Sequence, residues 1–201
     1  MIFELFSRAR HAAATPVLLG GMLLAGFSAG GFFNLALAQD AAYALKGKVV
    51  RVADGDTLTL LAGRDRHRVR LASIDAPETG SGRLRPGQPY GQAARKALAD
   101  LVAGRTLTLK CYEQDRYGRD ICDVPLPGGG TANRVMVETG MAWANLQGAG
   151  KYLRDETLPG LERQARGRRL GLWRQPDAVA PWDWRWQCWD ALENGRPAPI
   201  C

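Results

Sequence analysis

The residues best equipped for chemistry fall in two acidic runs with an arginine between them. The first is Asp54-Gly55-Asp56-Thr57. The second starts 13 residues after Thr57, as Arg70-Leu71-Ala72-Ser73-Ile74-Asp75-Ala76-Pro77-Glu78. Asp56, Asp75 and Glu78 stand in or beside turns that flank apolar runs. Hard carboxylate oxygens on turns, with main-chain carbonyls near them, suit Ca²⁺. Pro77 biases Ala76 towards extended backbone, so Glu78 leaves its turn in a defined direction. Each run also has an ordinary reading: Asp-Gly-Asp makes a hairpin turn, and Asp-Ala-Pro-Glu a turn before a loop. Two such turns with an arginine between them are what point to a site.

Those turns need strands to hold them. Gly47–Val52 and Thr57–Leu61 are β-rich and meet at the Asp-Gly signal, while His67–Leu71 alternates apolar with basic residues. Gly80–Gly91 holds glycine, proline, Arg83 and Arg85 without any period, which predicts a loop. Gln92–Val102 places Ala93, Ala94, Ala97, Leu98, Leu101 and Val102 on one face and stops before Gly104, which predicts a short helix. Thr106–Tyr112 and Ile121–Leu126 predict two more strands, joined through Asp115-Arg116-Tyr117-Gly118-Arg119. Asn133–Glu138 and Leu153–Arg169 read as helices, the second basic towards its C-terminal end. Five strands with short helices between them predict an α+β fold: a five-stranded OB-type β-barrel with about three short helices, rather than a parallel βαβ sheet.

With its elements in that order, the chain resembles the staphylococcal nuclease-like (thermonuclease) family. The resemblance rests on Asp54-Gly55-Asp56-Thr57, Arg70-Leu71-x-x-Ile74-Asp75-x-Pro77-Glu78, Asp115-Arg116-Tyr117-Gly118-Arg119 and Gly171-Leu172-Trp173, and covers about residues 46–174. It implies an OB-fold phosphodiesterase acting on DNA or RNA with Ca²⁺. Under that resemblance Asp56 and Asp75 are the carboxylate metal ligands and the main-chain carbonyl of Ala76 a further donor. Asp54 stands beside them. Glu78 is the general base or positions the water, and Arg70 and Arg119 hold the scissile phosphate. Tyr117 and Tyr152 are candidates for phosphate or base contact, with ordinary packing as the alternative. Such residue types match the reaction. Water attacking a phosphodiester must give up a proton, which a carboxylate within hydrogen-bond reach accepts. Guanidinium forks grip two phosphate oxygens at once and stay charged. The alternative is a non-catalytic nucleic-acid-binding OB-fold protein of the cell envelope, or an envelope protein with no nucleic-acid role. A pure binder has no use for three carboxylates facing a phosphate.

The chain ends read differently from this centre. Residues 1–11 are basic, residues 12–38 carry no charge, and Ala36-Leu37-Ala38 closes the run. That pattern predicts a signal peptide over residues 1–38, with an uncleaved membrane anchor as the alternative. Either way the rest is exported, to the periplasm or beyond, and a monomer is expected. The four cysteines agree with export. Cys111 with Cys122 and Cys188 with Cys201 are the two pairings that close local loops. Residues 175–201 hold four tryptophans among prolines and predict an extended tail, its rings either stacking nucleobases or packing onto the domain. The net charge of the 201-residue chain is +7; Arg8, Arg10 and Glu4 lie in the first 38 residues, so +6 belongs to the other 163. With 46% hydrophobic and 23% charged residues, the chain is no disordered, collagenous or polytopic membrane protein. The basic excess favours an anionic partner.

Overall fold

The structure is a computed structural model and describes residues 41–201. The segment read as signal peptide or anchor lies outside the described residues.

Alternation of side chains builds a barrel from five strands: β1 (Tyr43–Val52), β2 (Thr57–Ala62), β3 (Asp65–Leu71), β5 (Thr106–Gln114) and β6 (Asp120–Asp123). Leu58 and Leu60 of β2, Val69 and Leu71 of β3, and Leu107, Leu109 and Cys111 of β5 point inward, while the residues between them face out. The sheet closes in the order β1-β2-β3-β6-β5. All pairings are antiparallel except β3 with β6, which run parallel from Val69↔Asp120 to Leu71↔Cys122. Five strands in a closed barrel with helices packed around it form the expected OB-type α+β fold. Cys111 and Cys122 are directly opposite one another on β5 and β6, and a disulfide joins them.

Two short strands, β4 (Ile74–Asp75) and β7 (Trp143–Ala144), form a separate antiparallel pair that carries Asp75 opposite Trp143. Helix α1 (Gly91–Val102) turns Ala94, Leu98 and Val102 into the core. That four-residue spacing is the buried stripe expected of a surface helix. Helix α2 (Ala132–Glu138) is capped by Thr131, whose hydroxyl accepts the Arg134 N–H at 3.2 Å. Helix α3 spans Leu158–Gly167, shorter than the Leu153–Arg169 expected, because Asp155 accepts the Thr157 N–H and hydroxyl and holds the preceding residues in a turn.

The tail is where the expected structure fails. Residues 181–193 are helical, not extended: α4 (Pro181–Trp184), a π-helical turn (Arg185–Asp190) and α5 (Ala191–Glu193) follow one another without a break. Pro181 sits in the first turn, where its fixed φ favours a helix and its missing N–H costs nothing. The buried residues Pro181, Trp184, Cys188 and Ala191 then recur at helical spacing. Trp184 and Trp189 donate their indole N–H groups to the Pro86 carbonyl at 3.4 and 2.9 Å, so these rings pack the tail onto the domain. Trp186 remains exposed. A second disulfide, Cys188–Cys201, ties down the chain end. Among the described residues, no helix is long and apolar enough to cross a membrane.

Candidate active site

The barrel and α1 converge on the turn between β1 and β2. There the Asp54 carboxylate accepts the Asp56 N–H at 3.0 Å, and the Thr57 carbonyl accepts the Ala53 and Asp54 N–H groups. Gly55 has no room for a side chain: a Cβ would stand 2.7 Å from those of Ala76 and Ala94. The turn therefore presses against α1 and the second acidic run. Arg70 lies opposite Thr57 at the end of β3. Ser73, with φ of 66°, turns the chain from β3 into β4, and its hydroxyl accepts the Arg154 N–H at 2.7 Å. Asp75 and Glu78 follow directly.

These supports bring six predicted residues together: Asp54, Asp56, Arg70, Asp75, Ala76 and Glu78. Asp56 and Asp75 are buried, 3% and 1% exposed, which forbids charge unless it is compensated. One guanidinium provides much of that compensation. Arg70 Nη1 pairs with Asp56 Oδ1, and Arg70 Nη2 with Asp75 Oδ1 at 3.0 Å. The Asp56 Oδ2 atom accepts the Ala76 N–H at 2.8 Å. Burial alone disfavours an ionised Asp56, but the Arg70 charge and the Ala76 N–H outweigh it and hold the carboxyl below the usual range. Asp54 behaves in the opposite way: burial first, then repulsion from Asp56, push it up to about 8. Glu78 is likewise raised by burial, with Arg185 opposing and the Asp56 and Asp75 charges adding to the rise.

Arg119 is held elsewhere. Its guanidinium pairs with Asp115, Nε to Oδ2 at 2.8 Å, and lies 5.5 Å from the Tyr117 ring centroid. Asp115 also accepts the Tyr117 and Arg119 N–H groups and so organises the whole β5–β6 turn. No hydrogen bond joins Arg119 to the acidic cluster among the described residues. Tyr117 is exposed and flanked by Arg116, which donates to its hydroxyl at 2.7 Å. Tyr152 is exposed as well, with Lys151 Nζ 4.7 Å from its ring centroid.

A residue absent from the sequence-based set completes the cluster. Arg185, in the tail, donates from Nη2 to Asp75 Oδ2 and from Nη1 to Glu78 Oε1, both at 2.7 Å, and from Nη1 to Asp75 Oδ1 at 3.2 Å. More than a hundred residues separate it from its partners, and nothing local marks one arginine among tryptophans.

The donor set suits a hard cation. All the donors are oxygen, and two carboxylates that grip the two terminal nitrogens of one guanidinium stand close enough to share a single positive ion. Among the described residues, no three Asp, Glu, His or Cys side chains converge as a ready-made cage. A cation here would be held by Asp56, Asp75 and the Ala76 carbonyl, with water completing its shell.

Comparison with known proteins supplies the family. The family described as staphylococcal nuclease homologue matches residues 68–175. The chain is 45% identical to a micrococcal nuclease of Shigella flexneri over 148 residues, which covers 70% of this chain and 80% of that protein. It is 41% identical to an uncharacterized endonuclease of Escherichia coli O157:H7 over 141 residues, 70% of this chain and 85% of that one. It is also 41% identical to the protein ParB of Escherichia coli over 159 residues, 75% and 85% of the two chains. On the strength of a match over half its length and a barrel that sets two acidic turns around one arginine, this chain belongs to the staphylococcal nuclease homologue family.

Proposed function

We propose that this protein is an exported, Ca²⁺-dependent endonuclease that hydrolyses phosphodiester bonds of DNA, RNA or both. Membership of a nuclease family gives the reaction class, phosphodiester hydrolysis. The finer reading is carried by one observation: Arg70 bridges the buried carboxylates of Asp56 and Asp75, with Glu78 tied to Asp75 through Arg185. Burial makes Glu78 a stronger base than a free glutamate, which fits it to take the proton of the attacking water. Arg70 supplies fixed positive charge beside the carboxylates, and Arg119 is a second arginine for phosphate oxygens once its pair with Asp115 opens. Asp54, kept protonated by its surroundings near neutral pH, donates to Asp56 and fixes that carboxylate's direction. A bound Ca²⁺ supplies Lewis-acid stabilisation of the charge that builds on the phosphate oxygens.

Export is supported by the two disulfides, which persist in oxidising compartments, and by the composition of residues 1–38. Extracellular sites bind Ca²⁺ at about 10⁻⁴–10⁻³ M, so a site with two carboxylates and much water suffices there. The residues assigned to the reaction all belong to one chain, which supports a monomeric active form.

The test is a gel containing DNA or RNA, developed with Ca²⁺ and then with chelator. Clearing is expected with Ca²⁺, and chelator should abolish it. Glu78→Gln should lower turnover about 10²-fold, the usual worth of a positioned base. Clearing that survives chelation would remove the metal from the reading, and no clearing at all would remove the enzyme.

A further inference from the structure

The tail does not merely cover the site; it puts a cation into it. Both oxygens of Asp75 are engaged by the Arg185 fork, and the same guanidinium holds Glu78 at 2.7 Å. Asp75 is 1% exposed, while the Arg185 side chain is 34% exposed, so the guanidinium closes the outer side of a buried carboxylate. Oxygen lone pairs facing Arg185 cannot at the same time coordinate a metal ion on that side.

Several contacts hold this arrangement in place. The Gln88 amide donates to the Val179 carbonyl at 2.6 Å, and its oxygen accepts the Glu78 N–H at 3.3 Å. Arg85 pairs with Glu193, and both Trp184 and Trp189 reach Pro86. The tail thus grips the loop that starts just after Glu78. Arg185 itself opens the π-helical turn, whose wider winding changes the direction of the side chains it carries. The Cys188–Cys201 disulfide lies on the same turn.

We propose that Arg185 is an intramolecular cation latch: it neutralises Asp75 and Glu78 in the metal-free protein and leaves Asp75 in exchange for a divalent cation. The tail is then a gate on metal binding rather than a packing appendage. This rests on the metal reading given above. The exchange has a thermodynamic signature. When only the unlatched fraction binds metal, the apparent dissociation constant is the intrinsic one divided by that fraction. Removing the latch therefore tightens metal binding. Lysine retains the charge but lacks the fork that matches both oxygens of a carboxylate, so it holds the latch less firmly.

Calcium titration by calorimetry on the full chain tests this, with Arg185→Gln and Arg185→Lys beside the parent. Arg185→Gln should bind Ca²⁺ about tenfold more tightly, and Arg185→Lys should fall between the two. Arg174→Gln serves as a charge control: it removes one positive charge from an exposed residue that does not touch the cluster, and its constant should stay within about twofold of the parent. Thermal unfolding of each variant confirms that it is folded. If Arg185→Gln binds Ca²⁺ no more tightly than Arg174→Gln does, the latch is overturned while the metal reading survives. If neither the parent nor Arg185→Gln binds Ca²⁺, the metal reading and the latch fall together.

Discussion

A carboxyl group that keeps its proton at neutral pH leaves a mark on stability. Asp54 is raised from 3.8 to about 8, by burial first and by the Asp56 charge second. Between those values the unfolded chain has already released this proton and the folded chain has not. The stability linked to Asp54 is therefore fully present below about pH 4 and is lost as the pH rises through about 8. Asparagine cannot titrate, yet its oxygen still accepts the Asp56 N–H. Thermal unfolding of Asp54→Asn in chelator should show a flatter dependence on pH across this window than the parent does. Equal slopes would mean that Asp54 titrates as an ordinary exposed aspartate. At this scale the sequence was legible wherever neighbours in the chain are neighbours in space. Asp75, Ala76 and Glu78 lie in one run, and Arg70 is five residues ahead of Asp75. Arg185 was not legible because its meaning lies entirely in partners more than a hundred positions away.

The elements hold the acidic turns through contacts that leave no space. A Cβ on Gly91, the first residue of α1, would lie 2.1 Å from the Glu78 carbonyl oxygen and 2.7 Å from its carbon. Backbone cannot yield there as a flexible side chain would. Gly91→Ala should displace either α1 or the Glu78 peptide, costing about 1–3 kcal/mol of stability together with most of the activity. Gly128→Ala, where a Cβ meets nothing within 4 Å, is the control and should change neither. Chemical denaturation and a nuclease assay on both variants decide the matter: a fully active Gly91→Ala of parental stability would refute the packing argument. The strands and α1 could be read from their periods because burial on one face imposes a pattern of two or of 3.6. The tail misled because its tryptophans alternate at spacing two, as in a strand, although the side chains that become buried are spaced as in a helix. Tertiary docking on Pro86 and Gln88 selected the second pattern, and no local property of the sequence announces that docking surface.

For the molecule as a whole, the basic surplus and the acidic site divide the labour. Asp56 and Asp75 are buried against Arg70, while the net positive charge of the chain attracts a polyanion over about a Debye length. The proposed export has its own check. A mature protein recovered from the envelope or medium should begin after Ala38, with 163 residues and a net charge of +6 by mass and sequence. An intact Met1 would instead indicate an anchor. The manner of barrel closure has a further consequence, for life in a crowded solution. The parallel seam between β3 and β6 joins Leu71 to Cys122 and leaves the finished barrel without an open sheet edge. Among the described residues, the N–H and C=O groups along this seam are paired and so closed to a foreign strand. Before the seam forms, β3 and β6 are both such edges. The hazard of edge pairing at β3 and β6 is therefore greatest in that interval of folding, before the seam closes.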